Sequence, residues 1–154
     1  MRHLDFTLIT NAPIERAFRL STDPAHVREL MPFIVDIHDV VGQGDAVGDS
    51  FRFRDSMLGL HPGGRSEVTA VDPPRSVTIV TTYDNGIVID WTMRFTPALE
   101  GTEIENEIDY AVPAGVLGRV ADDLVLHRFI EQRIRQTGER FLELADREPT
   151  AATA

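Results

Sequence analysis

The stretch Ala114–Ala145 runs for thirty-two residues without a proline, and it leaves the rest of the chain few ways to fold. Leu117, Val120, Leu124, His127, Ile134, Phe141 and Ala145 recur at steps of three, four and seven. That spacing predicts one long amphipathic helix with an apolar stripe. Its opposite flank carries Arg119, Asp122, Arg133, Arg140 and Glu143, the side expected to face water. At 1.5 Å per residue the helix would span about 48 Å, more than the width of a domain of this length. It should therefore lie across a curved sheet and project past one edge.

The residues before it supply such a sheet. Leu4, Phe6 and Leu8 alternate with Asp5, Thr7 and Ile9, so Leu4–Thr10 reads as a half-buried strand. Asn11 before Ala12-Pro13, with Glu15 close behind, marks a helix start: an acceptor, a first-turn proline and an early acid. The helix Pro13–Leu20 places Ile14, Ala17 and Phe18 on one side. Asp23-Pro24 opens a second short helix with Val27, Leu30 and Met31, ended by Pro32. Six strands are then expected at hairpin spacing: Ile34–Val41, Asp49–Leu58, Arg65–Asp72, Val77–Tyr83, Ile87–Thr96 and Thr102–Val112. Asp84-Asn85-Gly86 is a tight-turn signal, because Asn-Gly accepts the positive φ such turns need. Pro73-Pro74 and Pro97 are expected to end strands.

The last two strands have the clearest faces. Ile87, Ile89, Trp91, Met93 and Phe95 share one side of theirs; Ile104, Asn106, Ile108 and Tyr110 share one side of the next, against Glu103, Glu105, Glu107 and Asp109. An antiparallel sheet apolar on one face needs a cover, and the C-terminal helix is the available one. The fold class is therefore α+β: a seven-stranded curved antiparallel sheet in β-α-α-β×6-α order around a long C-terminal helix. Residues 1–147 read as a single domain and 148–154 as a flexible tail.

Composition removes several functions. There is no cysteine, which excludes disulfide scaffolds, thiol catalysis and cysteine-ligated metals. A net charge of −10 disfavours a nucleic-acid partner, which usually requires a basic surface. No window approaches the roughly 18 apolar residues of a membrane span, and Met1–Asp5 does not open a secretory signal. The expectation is a cytoplasmic protein, monomer or homodimer. His3, His26, His38, His61 and His127 are scattered without ligand spacing, Gly42 and Gly44 precede a strand rather than a helix, and no serine sits in a nucleophile elbow. No metal or cofactor is expected.

What remains is the interior. Phe51, Phe53, Met57, Tyr83, Trp91 and Met93 are large enough either to fill it or to line a cavity. Polar residues fall among them: Asp55 on the face of Phe51, Phe53 and Met57; Asn106 and Tyr110 beside Ile104 and Ile108; His127 on the helix stripe with Leu124; and Glu131 at its margin. An unpaired buried polar group costs about 2–7 kcal/mol, so several converging groups fit a partly wet pocket of the kind small molecules use. These twelve residues are the candidate ligand-binding set. Arg65 is a candidate partner for Asp55 across a hairpin, and Glu131 is placed to orient His127.

Taken together, Asn11-Ala12-Pro13-Ile14-Glu15-Arg16-Ala17-Phe18 after the first strand, Asp23-Pro24 before a proline-ended helix, and Val112-Pro113-Ala114-Gly115-Val116-Leu117-Gly118 at the last one resemble the START-like, or SRPBCC, superfamily. More narrowly the chain looks like its polyketide cyclase/dehydrase-like proteins, over residues 2–146. The resemblance implies a helix-grip fold and an apolar cavity between sheet and long helix. It transfers no catalytic signature. The leading expectation is a binder of an apolar or aromatic small molecule, lipid or polyketide-like. An enzyme of the cyclase or dehydratase type would use His127 and Tyr110 as acid/base groups. A regulatory interaction module would instead require a filled interior and an exposed apolar patch.

Overall fold

The computed structural model describes residues 1–117 and 123–147 of the chain. Strands β1 (Arg2–Thr10), β2 (Ile34–Val41), β3 (Ser50–Asp55), β4 (Gly63–Asp72), β5 (Ser76–Tyr83), β6 (Val88–Ala98) and β7 (Gly101–Ala111) form one seven-stranded antiparallel sheet. Helices α1 (Ile14–Thr22) and α2 (Val27–Leu30) connect β1 to β2, the second entered by the 3-10 turn Pro24–His26. After β7 come α3 (Ala114–Leu117) and α4 (Asp123–Ala145). The element order is the expected one. Of the long helix, residues 118–122, with Arg119, Val120 and Asp122, lie outside the described residues, as does the tail 148–154.

The strand order is β1-β7-β6-β5-β4-β3-β2. Each hairpin pairs sequence neighbours, and β1 closes against β7 from Arg2↔Tyr110 to Thr10↔Thr102. α1 and α2 must therefore carry the chain from one edge of the sheet to the other. Register shifts in β2 and in β4 between Val68 and Ala70 are the local irregularities that bend strands. They help the sheet curve around α4.

The pairing sets inward side chains in rows across the sheet. Phe51–Ser66–Thr81–Ile89–Tyr110 is one row, Val68–Ile79–Trp91–Ile108–Leu4 the next, and Val77–Met93–Asn106–Phe6 the one after. Glu103, Glu105, Glu107 and Asp109 take the opposite face. α4 covers these rows with Leu126, Ile130, Ile134, Phe141, Leu144 and Ala145, all buried. Full burial of each such Leu or Ile contributes about 1.5–3 kcal/mol.

Four local expectations are corrected. The stripe on α4 runs through Leu126 and Ile130, and Leu124, some 200° around the helix from Leu126, is half exposed. Arg133 is turned inward rather than to water, with a side chain only 17% exposed. Asn11 does not cap α1: the cap residue is Pro13, and the Ala12 amide donates to Thr10 Oγ1 at 3.1 Å. Pro97 does not end β6, since it pairs with Thr102. β5 starts at Ser76 opposite Arg94, so β6 is an edge on that side beyond this point, and there proline forfeits no ladder bond.

Candidate functional site

The concave face and α4 do not close on each other. Between them is a cavity of about 170 Å³. The sheet contributes Phe51, Phe53, Ser66, Ile79, Thr81, Tyr83, Ile89, Trp91, Met93 and Asn106 to its wall. α4 adds Phe129, Ile130, Arg133, Ile134 and Gly138, and the α1–α2 end adds Thr22, Leu30 and Met31. Gly64 makes part of this geometry possible: a Cβ there would stand 2.5 Å from Phe53 Cζ, so a larger residue would displace that ring.

The polar groups at the wall are paired. Trp91 Nε1 donates to Asn106 Oδ1 at 2.9 Å, and Asn106 Nδ2 donates to the Ile104 carbonyl at 3.2 Å. Ser66 Oγ and Thr81 Oγ1 are 2.7 Å apart. The largest assembly is centred on Asp55, which is fully buried. Tyr83 donates its hydroxyl to Asp55 Oδ2 at 2.7 Å, and Arg133 Nη1 donates to Oδ1 at 2.6 Å. Arg133 Nη2 also donates to the Ser56 carbonyl. Its guanidinium carbon lies 4.0 Å from the ring centroid of Phe33 and 4.5 Å from that of Phe129, a double cation–π contact. Burial, reinforced by the Asp55 charge and hydrogen bond and opposed by Arg133, pushes the Tyr83 phenol far above its ordinary pKa of 10. Tyr83 therefore remains a donor at any physiological pH.

The expected site residues fall into four groups. Phe51, Phe53, Met57, Tyr83, Trp91, Met93 and Asn106 stand together in the cavity wall. Asp55 lies just behind it, held by two wall residues; its cation is Arg133 and not Arg65, which pairs instead with Glu67 at 2.7 Å. Tyr110 and His127 meet each other, hydroxyl to Nδ1 at 2.9 Å, but this contact is in the apolar cluster of Ile108, Leu126, Ile130 and Ile134 rather than in the wall. Leu124 is half exposed and Glu131 partly so, both outside the wall. Arg133, Phe129, Ser66 and Thr81 are wall residues that the sequence pattern did not single out. Ser66 and Thr81 had a signal, since each keeps the alternation of its strand. Arg133 had a weaker one in its i,i+4 spacing from Phe129.

With this geometry in place, comparison with known proteins is decisive at the level of family. Residues 1–145 match the family model described as polyketide cyclase / dehydrase and lipid transport. The chain belongs to that family. Solved structures share the helix-grip arrangement along nearly the whole chain. The Zhui aromatase/cyclase of Streptomyces sp. superimposes with a TM-score of 0.74 at 15% identity, covering 98% of this chain and 97% of that one. A protein of Mesorhizobium loti gives 0.71 at 19% identity, over 96% and 99%. One from Mycobacterium smegmatis gives 0.68 at 21% identity, over 96% and 92%. No curated protein matches the chain. Members of this SRPBCC family carry a ligand cavity between sheet and long helix, and the cavity described above occupies that place.

Proposed function

We propose that residues 1–147 act as one domain that binds an apolar or aromatic small molecule in the cavity under α4. The supporting observation is the combination of an open interior with apolar walls whose few polar groups are already satisfied. The side chains around that space lose packing contacts across it. An apolar guest regains them. Among the described residues no buried side-chain nitrogen or oxygen lacks a partner, so each of them keeps a hydrogen bond when an apolar guest fills the cavity. Trp91 is the chain's single tryptophan and stands in the wall, so its emission should shift as a ligand fills the cavity. Native mass spectrometry of protein from its source should also reveal a bound small molecule. An unchanged Trp91 emission across a panel of naphthalene, fatty acids and aromatic polyketides would reject the reading.

A second reading draws on the Tyr110–His127 contact at 2.9 Å, the spacing a proton-transfer pair requires. In it the protein is a cyclase or dehydratase acting on a polyketide-like substrate. His127→Ala should then abolish turnover while Trp91-reported binding persists. Unchanged turnover would eliminate it.

A further inference from the structure

Ser66 and Thr81 form a hydroxyl pair in the wall whose hydrogen-bonding arithmetic leaves a surplus. Two hydroxyls bring two protons, and their mutual contact at 2.7 Å uses one. One O–H remains, together with acceptor lone pairs on both oxygens. Ser66 is 6% exposed, so that capacity is directed inside the protein. The pair lies in the row Phe51–Ser66–Thr81–Ile89, with carbon on either side, and both residues contribute to the cavity wall. The other polar atoms there are further committed: Asn106 to Trp91 and Ile104, Arg133 to Asp55 and Ser56.

Charge and size narrow what this pair would hold. Among the described residues Arg133 is the one cationic side chain in the wall, and Asp55 neutralises it. An anionic ligand would be desolvated with no uncommitted cation to meet it, which is costly. An apolar cavity of about 150 Å³ accepts benzene, while drug-sized ligands occupy roughly 300–1,000 Å³. The 170 Å³ here suits one ring or a fused pair rather than an extended chain. Resting on the proposed binding function, we infer that the ligand is a neutral one- or two-ring aromatic molecule. It carries a single hydroxyl or carbonyl oxygen that hydrogen-bonds to the Ser66–Thr81 pair.

Isothermal titration of naphthalene, 2-naphthol and 2-naphthoate into the wild-type protein and into a Ser66→Ala/Thr81→Val variant tests this. In the wild type, 2-naphthol should bind at least as tightly as naphthalene despite its better hydration, and 2-naphthoate most weakly. The double variant should lose about tenfold in 2-naphthol affinity, the value of one hydrogen bond, and hold naphthalene unchanged or tighter. Equal changes for both ligands, or none, would overturn the anchor while leaving the cavity reading standing. Tightest binding by 2-naphthoate would overturn it in favour of Arg133. Wild-type protein that binds none of the three fails both this inference and the function it rests on. Should the double variant not fold, Thr81→Val and Ser66→Ala separately must each reduce the preference for 2-naphthol over naphthalene, and an unaltered preference in both overturns the assignment.

Discussion

Arg133 has a side chain 17% exposed and its partner Asp55 one that is 0% exposed, and that asymmetry decides what losing either would do. Removing the carboxylate by Asp55→Ala leaves a largely desolvated guanidinium, which typically costs about 3–5 kcal/mol. The replacement Asp55→Leu/Arg133→Met/Tyr83→Phe should recover most of that loss in urea denaturation, because an apolar set of similar volume has no charge to desolvate and leaves no Tyr83 hydroxyl without its acceptor. If the single and triple variants are equally unstable, the ion pair is not the linchpin of this end of the cavity. Tyr83 completes the cluster and predicts a pH effect. Its folded pKa is raised, so its contribution is fully present below the unfolded value near 10 and is lost as pH rises beyond that. In an ultraviolet alkaline titration the Tyr83 phenol should ionise only as the protein unfolds, and Tyr83→Phe should lower the amplitude of that delayed phase. The carboxylate was legible in the sequence, since Asp55 keeps the alternation of Phe51, Phe53 and Met57. Its partner was not. Helix periodicity assigns a charged residue to the wet face by type, and nothing local records that Phe33 and a carboxylate from distant segments meet Arg133.

At the level of elements, strands were easier to read than helices. A strand's period of two fixes its faces once a few large apolar residues are placed, and β6 and β7 carry enough of them to set the sheet. An α-helix turns 100° per residue, so a stripe built on Leu124 and His127 drifts from the one that packs, through Leu126 and Ile130. The edge position of Pro97 was equally hidden, since it depends on where a neighbouring strand begins. α4 also offers a test of its own packing. Gly138 is buried in mid-helix, and a Cβ there would stand 3.5 Å from Phe6 Cε2 and 3.7 Å from Leu8 Cδ2, ordinary contact distances. Gly138→Ala should therefore realise the propensity difference between the two residues, a gain of about 0.8–1.0 kcal/mol. A destabilised variant in thermal denaturation would mean that α4 sits closer to β1 than these distances allow.

Across the whole molecule the interior has two compartments, and they should respond oppositely to the same change. Around Ile108, Tyr110 and Leu126 the core is closed, with Ile108 fully buried. Around Ile79, Trp91 and Phe129 it lines empty space. Ile79 and Ile108 occupy the same row of the sheet, on either side of Trp91, so they differ in what faces them rather than in strand environment. Enlarging a residue in a packed core typically costs about 1–3 kcal/mol. Ile108→Phe should show that loss in urea denaturation. Ile79→Phe should stay within about 1 kcal/mol of wild type, because the added ring enters space that is already open and regains contacts there. It should also abolish the Trp91 emission shift on adding naphthalene, since ring and ligand compete for one volume. A loss at Ile79 as large as that at Ile108 would mean that sheet and helix meet in solution, and that the protein has no room for a guest.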